Sequence, residues 1–144
     1  MTTIAWDGIS LAGDGRVTSS SLILTDKHTK IHDAGDQLVG MAGDYAKSEE
    51  WLEAYLDGDL LEPLEEEEGG DTGFVVLLVE KDGGSVAVSY NGGPLLQVGA
   101  PFAVGSGADF AVGAMSSGKT AKQAVKLAMK YDAATGGKIT VLSL

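Results

Sequence analysis

Three stretches of this sequence combine residue types and spacings that could do chemistry. The first is the start of the chain, Met1-Thr2-Thr3-Ile4. A small second residue lets methionine aminopeptidase remove Met1, which makes Thr2 the first residue. An N-terminal threonine then holds a nucleophile and a base in one residue. Its hydroxyl attacks, and its own α-amine, with a pKa of about 8, takes the proton directly or through a water. Many proteins begin Met-Thr, so this dipeptide alone decides nothing. The second stretch, Gly113-Ala114-Met115-Ser116-Ser117-Gly118-Lys119-Thr120, fits the phosphate-cradling P-loop pattern. A working P-loop needs a strand just before Gly113 and a magnesium-binding Asp on a later strand. Here residues 108–112 read as helix and residues 139–144 carry no Asp. The Gly-Lys-Thr reads instead as a helix–helix turn with Thr120 as cap. The third stretch holds His28 and His32, spaced i, i+4 in an expected strand with no Glu beside them. That is not a metal-binding helix motif, and no serine triad assembles around the pair.

Composition bounds the rest. The chain has 144 residues and a mass of 14.8 kDa, which predicts one domain spanning 1–144. At 44% hydrophobic it can fill a core. There are 21 acidic residues against 10 basic ones, for a net charge of −11. Nucleic-acid binding through a basic face is therefore not expected. The absence of cysteine removes disulfides, thiolate nucleophiles and cysteine-ligated metals. The longest apolar runs, such as 74–79, fall far short of the roughly 20 residues that span a bilayer, so no membrane partner is expected. The N-terminus lacks the basic start and apolar stretch of a signal peptide, and the expected location is the cytoplasm.

The elements that must position any site are short. Glycine, at 21 residues, punctuates brief apolar runs. Strands are predicted over 2–6, 9–12, 30–32, 37–42, 74–80, 85–90, 95–98, 102–104 and 139–144. Asp7-Gly8 and Lys81-Asp82-Gly83-Gly84 provide hairpin turns. Helices are predicted over 44–56, 107–117 and 120–131. In the last of these Ala121, Ala124, Val125 and Ala128 form an apolar stripe and Thr120 with Gln123 a capping box. Charge is segregated. Residues 44–71 hold twelve acids and one base, whereas 119–138 hold five lysines and one acid. The run Glu65 to Glu68 before Gly69-Gly70 reads as a loop. Strands, helix, strands, two helices and a strand make an α+β order.

One ordered set of short motifs runs through the whole chain. Thr2-Thr3-Ile4 is followed by Leu11-Ala12-Gly13-Asp14-Gly15, then Lys30-Ile31, then Gly40-Met41-Ala42-Gly43 leading into a helix. Val104-Gly105-Ser106-Gly107 precedes a helix, and Asp132-Ala133-Ala134-Thr135-Gly136-Gly137 follows one. No single motif is specific, but the order resembles the proteasome β-subunit and HslV family of N-terminal threonine peptidases. The resemblance implies a four-layer αββα sandwich of the N-terminal nucleophile hydrolase type and no cofactor. It also implies roles. Thr2 matches the nucleophile, Lys30 the catalytic lysine and Asp14 the acid that pairs with it. A cation near the hydroxyl favours the alkoxide, and a buried ammonium needs its carboxylate. Gly43 matches the oxyanion-hole N–H, beside a helix start. Ser106, Asp132 and Thr135 match the polar set around the threonine amine. Val17, Thr18, His28, Met41 and Tyr45 match the substrate pocket, with a bulky Tyr45 where the family tends to have a small residue.

The activity so implied is endopeptidase cleavage of unfolded polypeptide inside a homo-oligomeric ring, with an ATPase unfoldase as the partner that the resemblance suggests. Two alternatives stand beside it: a catalytically silent, ring-forming scaffold of the same fold, and a P-loop nucleotide-binding protein.

Overall fold

The computed structural model of the chain describes residues 2–59 and 73–144. In chain order its strands are β1 (Ile4–Trp6), β2 (Ser10–Gly13), β3 (Val17–Ser19), β4 (Leu22–Thr25), β5 (Ile31–Asp33) and β6 (Gln37–Gly43). After helix α1 (Tyr45–Leu56) come β7 (Phe74–Glu80), β8 (Val86–Tyr90), β9 (Leu96–Val98) and β10 (Phe102–Val104). Helices α2 (Ala108–Ser116) and α3 (Ala121–Tyr131) precede the last strand, β11 (Thr140–Ser143). A four-stranded sheet runs β10-β1-β2-β11, a five-stranded sheet runs β5 through β9 in sequence order, and β3 pairs only with β4. All of these pairings are antiparallel.

The apolar runs read as they do because both faces of the central strands are covered. In β1, Ile4 and Trp6 point between the two larger sheets, where they meet Ile31, Leu38, Leu77 and Val88. Ala5 points the other way, with Ala12 and Ala103, against Ala111, Ala121, Ala124 and Val125 of α2 and α3. Alanine on that face lets the helices approach closely. In the five-stranded sheet, Leu38 and Leu77 face the inter-sheet core, while Val39, Met41, Val76 and Leu78 face Leu52 of α1. A strand buried on both faces cannot alternate apolar with polar, hence the continuous run from Phe74 to Val79.

The expected αββα sandwich is corrected by this architecture. The described residues form three mostly antiparallel sheets of eleven strands with three short helices, a β-rich fold. Among the described residues the five-stranded sheet carries only α1, twelve residues long, which is too little helix for a full outer layer. The β3–β4 hairpin, not expected from sequence, adds a third sheet. His28 is also corrected: it lies in the loop between β4 and β5, and only His32 is in a strand. The acidic run at 65–68 lies outside the described residues. No helix among the described residues is long and apolar enough to cross a membrane.

Turn chemistry ties the layers together. Asp7 Oδ1 accepts from the N–H groups of Ile9 and Ser10, which closes the β1–β2 hairpin. Its other oxygen accepts from Ala121 N–H at 2.8 Å, at the start of α3. That first turn is already completed by the Thr120–Gln123 capping box. A carboxylate therefore occupies the helix start that a P-loop would offer to phosphate, and Gly113 lies within α2 rather than after a strand.

Candidate active site

Thr2 sits one residue before β1, and both of its polar ends are held. Its N–H donates to Ser106 Oγ at 3.1 Å, and its hydroxyl donates to Asp14 Oδ1 at 2.6 Å. Asp14 follows β2, which pairs with β1 so that Ile4 lies opposite Gly13. The hairpin register thus delivers the carboxylate to Thr2.

Asp14 is buried and saturated with donors. Oδ1 also accepts from Thr3 N–H at 3.1 Å and from Lys30 Nζ at 2.9 Å. Oδ2 accepts from Gly136 N–H at 2.9 Å and Arg16 N–H at 3.3 Å. Lys30, just before β5, is 6% exposed. Burial pushes its ammonium below the ordinary 10.5, and the opposing pull of Asp14 does not cancel this. Its Nζ also donates to the Arg16 carbonyl at 2.5 Å.

Around the Thr2 nitrogen lies a second network. Ser106 Oγ donates to Asp132 Oδ2 at 2.6 Å, and Thr135 Oγ1 donates to the same oxygen at 2.6 Å. Because the Thr135 proton is committed there, Thr3 Oγ1 must be the donor in its 2.8 Å bond to Thr135. Burial works against the Asp132 charge. The hydroxyls of Ser106 and Thr135 and the N–H of Ala134 outweigh it, and hold this carboxyl below its usual range. Gly105 lets Ser106 come this close. Its φ is +100°, and a Cβ there would stand 2.1 Å from the Thr2 carbonyl oxygen.

A cavity of 420 Å³ opens beside Thr2, lined also by Lys30, Gly43, Val17, Thr18, His28, Met41 and Tyr45. Gly43 ends β6 with φ +109°, where a side chain would meet the Gly73 carbonyl at 2.5 Å. It leads into α1, whose first turn is capped by Asp44 accepting from Lys47 N–H. Tyr45 is half exposed at the rim, its ring edge-on to His28 at 5.0 Å.

The site residues that the resemblance implies therefore lie in one region. Thr2, Asp14, Lys30, Ser106, Asp132 and Thr135 share the two networks, and Gly43 with the five pocket residues surrounds the cavity. Sequence reasoning missed Thr3, Arg16, Gly136 and Glu49. Glu49 lines the cavity and pairs with His28 Nε2 at 3.2 Å. It stands one helical turn after Tyr45, a spacing that could have revealed it. Arg16 lies in the connection between β2 and β3, where no periodic pattern marks it. Among the described residues, no group of three or more His, Asp or Glu side chains is placed to hold a metal ion.

The arrangement can activate a hydroxyl. It brings the Thr2 alcohol and the buried Lys30 cation to the wall of a cavity large enough for a peptide side chain, with the Asp14 and Asp132 carboxylates behind them. No protein-family model and no curated protein matches the sequence. Among solved structures the chain is similar to Thiobacillus denitrificans BPH, with a TM-score of 0.74 and 18% identity over 99% of this chain and 96% of that one. A structure of Thiobacillus denitrificans BPH in complex with Epoxomicin matches at the same TM-score and identity, over 99% of this chain and 97% of that one. At this identity the likeness is one of fold.

Proposed function

We propose that the chain is an N-terminal threonine hydrolase of the proteasome/HslV type, cutting peptide bonds of unfolded polypeptide in the cytoplasm. The observation that carries this reading is the pair of networks that end on Thr2: Asp14, itself bonded to Lys30, at its hydroxyl, and Ser106, itself bonded to Asp132, at its nitrogen. Removal of Met1 turns that nitrogen into a free amine. The amine takes the hydroxyl proton as Thr2 Oγ1 bonds to the peptide carbonyl carbon, and the Gly43 N–H receives the developing oxyanion. The proton passes to the departing amine as the C–N bond breaks, leaving an ester on Thr2. Water, deprotonated by the same amine, then releases the acyl group and restores the hydroxyl. Lys30 supplies a fixed positive charge beside the developing alkoxide, and Asp14 keeps that charge in place.

A protease able to cut any unfolded chain needs enclosure, which is the reason to expect a homo-oligomeric ring, with an ATPase unfoldase as the partner that feeds it. Two exposed helix faces offer opposite charge for docking between copies. Glu50, Glu53 and Asp57 lie on or just after α1, and Lys122, Lys126 and Lys130 lie on α3. Sedimentation at low and high salt tests this, since the Debye length falls from about 10 Å to about 3 Å over that range. A mass of 14.8 kDa under every condition refutes the ring.

The test of the activity is intact-mass analysis of the natural protein with peptide hydrolysis. The expected outcome is loss of Met1, turnover of peptide, and no turnover by Thr2→Ala. Because the neighbouring structure holds Epoxomicin, that compound is the first ligand to try, with Thr2→Ala as the control. Retained Met1 together with absent hydrolysis leaves the silent ring-forming scaffold.

A further inference from the structure

Arg16 lines the cavity yet belongs to neither carboxylate network through its side chain. Its guanidinium makes three bonds to two separate parts of the molecule. Nε and Nη2 donate to the two oxygens of Asp26 at 2.8 and 3.1 Å, and Nη1 donates to the Ala133 carbonyl at 3.0 Å. Asp26 is the foot of the β3–β4 hairpin, and its own carbonyl accepts from Lys138 N–H at 2.9 Å. Ala133 lies in the turn between Asp132 and Thr135. The Arg16 backbone completes the junction: its carbonyl takes Lys30 Nζ, and its N–H reaches Asp14 Oδ2.

One residue thus touches the hairpin, the Asp132 turn, the lysine and the buried aspartate. The side chains of Arg16 and Asp26 are 20% and 42% exposed, so the pair contributes little by Coulomb attraction alone. What a planar guanidinium adds is direction. It grips one carboxylate with two parallel N–H groups while a third N–H holds a carbonyl, which a lysine ammonium cannot reproduce.

We propose that Arg16 is a positioning residue: by bridging Asp26 to Ala133 it fixes its own carbonyl on Lys30 Nζ and holds the Asp14 and Asp132 networks in register around Thr2. Its kinetic consequence rests on the reading of Thr2 as nucleophile. Its geometric consequence, the environment of Lys30, does not.

Two variants separate direction from charge. Arg16→Met keeps the aliphatic stem and removes the fork and the charge. Arg16→Lys keeps the charge and loses the fork. The readouts are kcat and KM for peptide hydrolysis and the titration midpoint of Lys30, followed by NMR of lysine labelled at Cε. Charged groups around Lys30 are Asp14, Arg16, Asp26 and Asp132, and only Arg16 is substituted. The expected result is a fall of about tenfold or more in kcat with KM nearly unchanged in both variants, since small misplacements of reacting groups cost this much. The Lys30 midpoint should also move in both, including Arg16→Lys, where net charge is constant. Wild-type behaviour of Arg16→Lys in both readouts would overturn the proposal by making charge sufficient. An unmoved Lys30 midpoint in both variants would overturn it as well. If the wild-type protein hydrolyses no peptide, the proposed function fails, while the Lys30 midpoint still decides the role of Arg16.

Discussion

Two aspartates hold the two ends of Thr2, and they are built in opposite ways. Asp14 has no exposed side-chain surface and takes five donors, among them the Lys30 ammonium. Asp132 is only partly buried, and its side chain takes three donors, all uncharged. The Asp14 side fixes a charge inside the protein, where desolvation is costly unless every lone pair is used. The Asp132 side stays near solvent and joins the Thr2 nitrogen through a serine hydroxyl that can rotate. Under the proposed function, a static charge is thus kept dry, and the group assigned to proton exchange is kept within reach of water.

The largest effects should come from the Asp14 side. Thr2→Ala should abolish hydrolysis, and Lys30→Ala should come close to it. Each should lower kcat by about 10³-fold or more, and the double variant should be no worse than either, because residues acting as one unit are not additive. Steady-state kinetics on a fluorogenic peptide checks this. Near-normal turnover of Lys30→Ala would show that the dry charge is dispensable. Asp14→Asn should lose activity as well, and also about 3–5 kcal/mol of stability, since it leaves a buried ammonium without its carboxylate. Denaturant unfolding measures that loss.

On the Asp132 side the same substitutions should be milder. Asp132→Asn and Ser106→Ala should lower kcat by about ten- to a hundredfold, toward the low end of what a placed proton-transfer group contributes. The stability loss for Asp132→Asn should be about 1 kcal/mol, because partial exposure lets water replace the lost partners. If Asp132→Asn destabilised the protein as much as Asp14→Asn, the contrast between the two sides would fail.

Much of this site was legible in the sequence, and the gaps have physical causes. Asp14, Lys30 and the Ser106 and Asp132 motifs were found by their order along the chain, since local runs such as Gly-Asp-Gly and Gly-Ser-Gly survive in isolation. Strands β6 and β7 were legible because burial on both faces leaves an unbroken apolar run. The β3–β4 hairpin was not: all four residues of β4 are exposed, so Leu22, Ile23 and Leu24 form no pattern against a core, and a bulge between Val17 and Thr18 shifts the register. The αββα expectation came from the resemblance, whereas the described residues place one short helix on the five-stranded sheet and form a β-rich fold. Arg16 escaped notice because its partners, Asp26 and Ala133, are 10 and 117 residues away, and only the closed structure joins them.

The finest test of the contrast is the pH dependence of stability, where the two sides should act at opposite ends of the scale. Asp132 has a folded-state pKa below its ordinary 3.8. Its contribution is therefore fully present above 3.8 and is lost as pH falls below it, while the unfolded chain gains a proton that the folded one refuses. Lys30 has a folded-state pKa below its ordinary 10.5. Between those two values the unfolded chain holds a proton that the folded chain lacks, so this group makes stability rise with pH until 10.5 is reached. Other groups titrate too. Asp26 and Asp33 are lowered and add to the acid loss, and burial raises Tyr55, which opposes the alkaline gain. The difference between variant and wild type removes them. Denaturant unfolding across pH should show the Asp132→Asn deficit constant above 3.8 and shrinking on the acid side, and the Lys30→Met curve changing its slope relative to wild type on the alkaline side. A Lys30→Met curve parallel to wild type at every pH would mean that the lysine titrates as it does in water, and that the Asp14 side is not dry.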